Sequence, residues 1–155
     1  MSRFSIAQLE EAMRAAIGEA RNAAAGGDFP YGAVVINGAG RVIARGQDRG
    51  ARDADPTLHA EFEAVRAAIA VAGPDLSGHA LVSNVEPCAM CSTAAWWAGI
   101  AAVAFGLSQR EVFAMRPDSM DEPGLTVDEA QAVFARRMSV RAGLCHTAAR
   151  QLWDD

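Results

Sequence analysis

Two cysteines in one short stretch carry the strongest chemical signal in the sequence. Cys88 and Cys91 lie in residues 85–91, VEPCAMC, three positions apart. At that spacing in the first turns of a helix, both sulfurs project to one side, and the helix N-terminus favours the thiolate form. Two thiolates so placed suit zinc. Buried thiols in an alanine-rich helix are the alternative interpretation of this stretch alone.

A second stretch, residues 55–61 or DPTLHAE, supplies a histidine two positions before a glutamate. If His59 joins Cys88 and Cys91, zinc has three protein ligands and an open fourth position, as in catalytic sites. Water held there loses a proton near neutral pH, and a carboxylate alongside can carry that proton to a leaving group. Glu61 is the residue placed for this role.

A non-catalytic zinc module is the competing hypothesis for the same residues. In that module Cys145 or His146 would supply a fourth ligand and close the site. These two residues lie in a C-terminal stretch without metal-ligand spacing, so we expect a buried free thiol and an ordinary histidine there.

Composition narrows the class of protein. The chain has 155 residues, 51% of them apolar and 21% charged, which fits one globular domain over 1–155. The formal net charge is −5, and fourteen scattered arginines with no lysine form no basic face, so we expect no nucleic-acid partner. No window approaches the roughly 20 apolar residues that span a bilayer, so we expect no membrane partner and a cytoplasmic location.

The predicted elements place both motifs at helix starts. In the first half of the chain, the pattern predicts a helix from Ser5 to about 23–25, a hairpin over 32–44, and a helix opened by Asp55 and Pro56. A strand over 80–83, a helix over 86–97 and a strand over 100–105 are predicted to follow. Further helices are predicted near 126–134 and up to 153. Alternation of helices and strands predicts a three-layer α/β sandwich around a mixed sheet. The strands at 80–83 and 100–105 are predicted to be parallel, joined by the cysteine helix.

The two motifs together resemble a known zinc signature. The sequence His59-Ala60-Glu61 followed by Pro87-Cys88-Ala89-Met90-Cys91 is similar to that of the cytidine-deaminase-like superfamily, and the similarity extends from the strand at 32–34 to Phe105. The resemblance implies a three-layer α/β/α fold with about five strands in a mixed central sheet. It also implies one Zn²⁺ held by His59, Cys88 and Cys91, with Glu61 moving protons while zinc-bound hydroxide attacks a ring carbon and ammonia leaves.

Within that superfamily the DPTxHAE form resembles bacterial guanine deaminases and tRNA adenosine deaminases. The acidic charge, a C-terminal part without a basic helix, and Trp96-Trp97-Ala98, which looks like the Tyr-Trp-Ala of guanine deaminases, favour the first branch. The resemblance therefore implies a zinc-dependent aminohydrolase acting on a guanine-like cyclic amidine in purine metabolism. Editing of tRNA adenosine to inosine is the alternative.

Six residues are expected to contact the substrate, and two of them depart from the family pattern. The six are Phe29, Asp48, Ala60, Asn84, Trp97 and Asp118. Both branches place Asn at the position of Asp48, and the family usually has Ser or Thr at that of Asn84. A carboxylate only accepts hydrogen bonds, whereas an amide also donates. We therefore hypothesise a substrate whose polar edge differs from that of guanine, such as a pterin, triazine, pyrimidine or nucleoside.

These substrate contacts have structural alternatives. Asp48 could be a solvated loop acid, Trp97 could pack in the core, and Phe29 could anchor its loop. Residues 107–155 have a weaker pattern and are expected to form a helical part that closes the pocket or packs on a partner subunit. Asp118 is the candidate acid from this part, and the resemblance implies a homodimer.

Overall fold

A mixed sheet of five strands forms the centre of the molecule in the computed structural model, which describes residues 3–120 and 123–154. The strands are β1 (Gly32–Ile36), β2 (Val42–Gln47), β3 (Ala80–Val85), β4 (Ala102–Leu107) and β5 (Ser139–Arg141), in the order β2-β1-β3-β4-β5. Strand β1 pairs antiparallel with β2 and β3, and the β3–β4 and β4–β5 pairs are parallel. The predicted parallel pair joined by the cysteine helix is confirmed.

Six helices in the described part of the chain surround the sheet. They are α1 (Ile6–Ala25), α2 (Ala60–Ala72), α3 (Ala89–Trp97), α4 (Gln109–Met115), α5 (Val127–Gln131) and α6 (His146–Gln151), and a 3₁₀ turn covers Pro117–Ser119. In the described part of the chain, no helix has the length and the apolar run that crossing a bilayer needs.

Alternate residues of the central strands supply two separate cores. Val34 and Val82 face α1, whereas Val35, Leu81 and Val103 face α2 and α3. Strands β1, β3 and β4 are buried along their whole length and are mostly apolar on both faces, as expected for strands covered by helices on each side. This arrangement is the predicted three-layer α/β/α sandwich.

The second helix starts four residues later than Pro56, the predicted first helical residue. Helix α2 begins at Ala60, and His59 is its N-cap. The Asp55 carboxylate accepts hydrogen bonds from the backbone N–H of Thr57, at 2.9 Å, and from the Thr57 hydroxyl, at 2.7 Å. The predicted Asp55 cap is therefore wrong, because this local turn takes the side chain that would have capped the helix.

The third helix is displaced in the same direction. The predicted start at Glu86-Pro87 is wrong, because α3 begins at Ala89 with Cys88 as its N-cap. His59 and Cys88 both have extended backbone, and neither side chain makes a capping hydrogen bond. Neither side chain is therefore bonded to the end of the helix that follows it.

A glycine on β2 brings the first turn of α2 close to the sheet. A Cβ atom on Gly46 would lie 2.1 Å from the carbonyl oxygen of Ala60 and 2.6 Å from the backbone nitrogen of Ala64. Only a residue without a side chain allows this approach. The position of β2 therefore determines where the residues just before and after Ala60 lie.

Substitution of Gly46 by alanine should lower the free energy of unfolding by about 1–3 kcal/mol, because the new methyl group overpacks the β2–α2 contact. Gly18→Ala is the matched control, since a Cβ atom added to Gly18 in α1 would meet no described residue within 4 Å outside its own stretch of helix. It should leave stability unchanged or raise it by up to about 1 kcal/mol. Chemical denaturation followed by circular dichroism measures both, and equal stability of the two variants would contradict the close approach.

Candidate zinc centre and active-site cavity

Two helix N-termini bring three metal-ligand atoms together. The Nδ1 atom of His59 lies 3.4 Å from Sγ of Cys88 and 3.6 Å from Sγ of Cys91. The ligand atoms of all three residues lie within 4.8 Å of one another. Tetrahedral zinc with Zn–S and Zn–N bonds of about 2.3 and 2.1 Å places its ligands about 3.5–3.8 Å apart. The geometry and the donor set, two thiols and an imidazole, therefore fit zinc.

The protonation states of the three ligand side chains are coupled. A hydrogen bond between the two thiols lowers the pKa of Cys88 and raises that of Cys91. A hydrogen bond to Cys88 raises the pKa of His59 to about 9. Because a metal needs both thiolates and the free imidazole nitrogen, zinc binding competes with protons at these side chains.

The described residues contain no fourth ligand for this site. Within them, the group of His, Cys, Asp and Glu side chains close enough to share a metal has three members. Cys145 packs against the core on the α1 face, and Nε2 of His146 lies 2.6 Å from Oε1 of Glu111. The closed-site hypothesis is wrong because both candidate ligands are engaged elsewhere in the fold.

A cavity of about 640 Å³ opens next to the ligands and is lined by His59 and Cys88. Its size suits a small heterocyclic molecule. Among the described residues, five with carboxyl groups line it: Asp28, Asp48, Glu61, Glu86 and Asp118. Among the described residues that line the cavity, none is an arginine.

Glu61 lies in the first turn of α2, one residue into the helix from Ala60. Its side chain lines the cavity, and the residue is 5% exposed. Burial raises the pKa of Glu61 to about 7. A carboxyl group in such a place can hold or release a proton near neutral pH.

The structure places four of the six expected substrate-contact residues around this cavity. They are Phe29, Asp48, Ala60 and Asp118. Asp118 is paired through both carboxylate oxygens with Arg116, at 3.0 and 2.9 Å. Contact of the four residues with a substrate stays a prediction.

Asn84 lies outside the cavity lining, which corrects one of the expectations. It is 1% exposed, its Oδ1 accepts the backbone N–H of Gly32 at 2.8 Å, and its Nδ2 donates to the carbonyl of Pro30 at 2.7 Å. Both halves of the amide are therefore used to hold the loop that leads into β1. A Ser or Thr side chain is too short to make both bonds, which explains an amide here.

Trp97 also lies outside the cavity, at the far end of α3, and is 72% exposed. It packs edge-on against Trp96, with ring centroids 5.2 Å apart. Trp96 stacks on Phe134 at 3.9 Å and donates its Nε1–H to the carbonyl of Arg136 at 2.9 Å. The tryptophan pair thus serves the contact between α3 and the C-terminal part, away from the cavity.

Four of the lining residues that the sequence did not indicate make contacts that bear on the site. They are Asp28, Tyr31, Glu86 and Gln109. The Asp28 carboxylate accepts hydrogen bonds from the backbone N–H groups of Ala51 and Arg52 and from Nε of Arg52. It therefore anchors the loop after β2. The run of Asp, Arg and Gly residues in that loop predicts a polar loop, but it does not indicate that Asp28 holds it.

Gln109 joins the C-terminal part to the loop before Cys88. Its Nε2 donates to the carbonyls of Pro87, at 3.1 Å, and Leu125, at 2.9 Å, and its Oε1 accepts the backbone N–H of Gly124 at 3.0 Å. The capping-box spacing of Ser108 and Glu111 could have predicted α4, but no local signal predicts these long-range bonds of Gln109.

Trp153 supports one wall of the cavity from behind. It is buried, its ring centroid lies 5.1 Å from that of Tyr31, and it stacks on Phe29 at 6.5 Å. Burial also raises the pKa of the Tyr31 phenol. The last residues of the chain thus hold two aromatic rings of the cavity lining.

Substitution of Cys91 by serine should reduce bound zinc to less than about a tenth of the native amount, because a hydroxyl replaces a thiolate ligand. Cys145→Ser is the matched control and should keep the native zinc content. Elemental analysis of both purified proteins after dialysis gives the comparison. Loss of zinc in the Cys145 variant would instead restore the closed-site hypothesis.

The chain is similar to several deaminases and to part of a larger enzyme. It is 42% identical over 108 residues to the tRNA(Ile)-lysidine synthase of Deinococcus deserti, covering 69% of this chain but 20% of that one. It is 34% identical over 123 residues to a probable cytosine deaminase of Schizosaccharomyces pombe, covering 79% and 75% of the two chains. Identity to the guanine deaminase of Bacillus subtilis is 43% over 81 residues, covering 52% and 50%.

Solved structures show the same fold. The structure of NE0047 in complex with 2,6-diaminopurine superposes with a TM-score of 0.82 and 27% identity, covering 94% of this chain and 79% of that one. A tRNA:A34 deaminase superposes with a TM-score of 0.75 and 29% identity, covering 92% and 98%. The family model of the cytidine and deoxycytidylate deaminase zinc-binding region matches residues 6–107, which include all three zinc ligands and Glu61. This chain therefore belongs to the zinc-binding cytidine and deoxycytidylate deaminase family.

Proposed function

We propose that the protein is a hydrolytic deaminase of a guanine-like, amino-substituted nucleobase. The observation that carries this proposal is the buried carboxyl group of Glu61 in a cavity that His59 and Cys88 also line. The reaction converts water and an amino-heterocycle into an oxo-heterocycle and ammonia. A carbon–oxygen bond forms at the ring carbon, and the bond from that carbon to the amino nitrogen breaks.

Each residue of the centre has a separate task in this reaction. His59, Cys88 and Cys91 hold zinc, which when bound supplies an activated water near neutral pH. Glu61 takes a proton from the attacking water and passes it to the departing amino nitrogen. Because Cys88 lies at the start of α3, we also expect its backbone N–H to stabilise the oxygen that becomes negative during the attack.

Size and charge of the cavity support a free base as the substrate. A volume of about 640 Å³ is enough for a bicyclic ring, and Phe29 and Tyr31 line it with aromatic surface. The described residues of the lining include no arginine that could bind a phosphate group. Relatives named guanine deaminase and cytosine deaminase, and a structural neighbour in complex with 2,6-diaminopurine, support the same class of substrate.

A cytoplasmic homodimer acting in purine metabolism is the assembly and setting that we propose. Free thiols at all three cysteines fit a reducing compartment. Trp97 and the 83% exposed Val133 present apolar surface on the side of α3 and α5, where a second copy could pack.

Replacement of Glu61 by glutamine should lower the rate of ammonia release at least about a hundredfold, because the amide cannot carry the proton. Zinc content should stay at the native level. The measurement is an ammonia-release panel of purines, pterins, pyrimidines, triazines and their nucleosides. Glu63→Gln is the matched control, since Glu63 lies on the same helix but pairs with Arg49 at 3.4 Å. Native-like release by the Glu61 variant would exclude Glu61 as the proton carrier.

A tRNA adenosine deaminase is the second candidate, because a tRNA:A34 deaminase is a structural neighbour along 98% of its own chain. Such an enzyme would bind anticodon stem-loops with a steep dependence on salt. With a net charge of −5, we expect no gel shift of such RNA even at low salt. A salt-sensitive shift would favour the tRNA candidate over the free-base substrate.

A further inference from the structure

We propose that Asp48 selects amino-heterocycles that present an amidinium-type edge, two N–H donors side by side on a protonated ring. This inference rests on the proposed function, because it names the substrate class of the same cavity. It follows from the position of Asp48, from its lack of a salt-bridge partner among the described residues, and from the lack of arginine among the described residues that line the cavity.

Asp48 is held in a defined position at the cavity. It directly follows β2, and its backbone N–H donates to the carbonyl of Tyr31 at 3.1 Å. Its Oδ1 accepts the backbone N–H of Gly50 at 2.9 Å. The side chain is half-buried and lines the cavity. Because backbone and side chain are both tied, the carboxylate is preorganised and leaves Oδ2 and one lone pair of Oδ1 for a ligand.

The nearby arginine, Arg52, makes no salt bridge with Asp48. Nε of Arg52 donates to Oδ2 of Asp28 at 3.2 Å, and its Nη2 donates to Oε1 of Gln47 at 3.3 Å. Within residues 3–120 and 123–154, no salt bridge reaches Asp48. A half-buried carboxylate with one neutral donor is costly to desolvate further, so a ligand that covers it must supply donors of its own.

The described residues of the lining include four further acids and no arginine. Asp28 pairs with Arg52, and Asp118 pairs with Arg116, but Glu61 and Glu86 have no such partner among the described residues. Zinc held by two thiolates and a neutral histidine is neutral overall, so it does not offset these acids. The described lining thus offers acceptors but no arginine, which suits a ligand that brings its own N–H donors.

A carboxylate and an amide at position 48 bind ligands with different hydrogen-bonding edges. A carboxylate binds two adjacent N–H donors in a bidentate pair and is repelled by an edge that carries acceptors. An amide supplies one donor and one acceptor, so it suits a neutral ring in which a donor lies next to an acceptor. Asp48→Asn keeps the shape and the bond from Gly50, and it removes the charge.

Binding to an inactive protein tests this inference without turnover. The probes are 2-aminobenzimidazole, which is protonated near neutral pH and presents adjacent N–H donors, and 2-aminobenzoxazole, a neutral molecule of the same shape. The host is the zinc-loaded Glu61→Gln protein. We expect the cationic probe to bind about tenfold to a hundredfold more tightly in calorimetry.

Two double variants supply the comparison. Addition of Asp48→Asn to the Glu61→Gln host should reduce the preference for the cationic probe to within about threefold, as expected when the charged partner is lost. Asp53→Asn is the matched control, because Asp53 lies in the same loop, is exposed and pairs with Arg49 at 3.5 Å. It should leave the preference unchanged. Zinc content and circular dichroism confirm that each variant is folded and loaded.

The outcomes separate this inference from the proposed function. A preference that survives Asp48→Asn overturns the inference, as does tight binding of the neutral probe by the host. If the native protein also releases ammonia from guanine, the proposed function stands although the inference has failed. A preference that depends on Asp48, in a protein that releases ammonia from no member of the panel, supports the inference about the ligand and contradicts the proposed reaction.

Discussion

The approach of one histidine nitrogen to two sulfurs from a different helix is the constraint on which the rest of this structure depends. His59 precedes α2 and Cys88 precedes α3, so their separation is set by how each helix sits on the sheet. Helix α2 is positioned by its close contact with β2 at Gly46, and α3 is positioned by the parallel β3–β4 crossover. An error of about 1 Å in either contact would spoil a tetrahedral site.

Two of the three zinc ligands, His59 and Cys88, occupy N-cap positions, and this placement has a chemical consequence. A histidine or cysteine inside a helix has a side chain directed along the preceding turn, whereas an N-cap residue has extended backbone and can turn its side chain away from the helix. The two helix N-termini also carry partial positive charge, which favours thiolates and a negative oxygen near them. The centre therefore combines metal ligands with local electrostatics that suit a hydrolytic reaction.

The cavity beside the centre is completed by residues distant in sequence. Gln109 ties the segment at 124–125 to the loop before Cys88, and Trp153 backs the rings of Phe29 and Tyr31. The C-terminal part is thus needed to shape the substrate side of the site, while the metal ligands come from the first 91 residues. This division fits a family in which the zinc core, matched over 6–107, recurs in chains with different remaining parts.

The sequence by itself determined the three zinc ligands and the parallel unit around the cysteine helix, because each depends on motif spacing or on an apolar run, and it indicated Glu61 as the candidate proton carrier. It placed the starts of α2 and α3 too early. For α2 the reason is the turn formed by Asp55 and Thr57, which competes with a cap that looks the same in the sequence. Only the tertiary structure decided that Asn84 forms hydrogen bonds with Pro30 and Gly32, because partners about fifty residues away leave no local pattern. The exposure of Trp97 was likewise decided by the tertiary structure. The same holds for Asp48: its residue type is plain in the sequence, but only the structure shows that it lines the cavity while Arg52 pairs with Asp28.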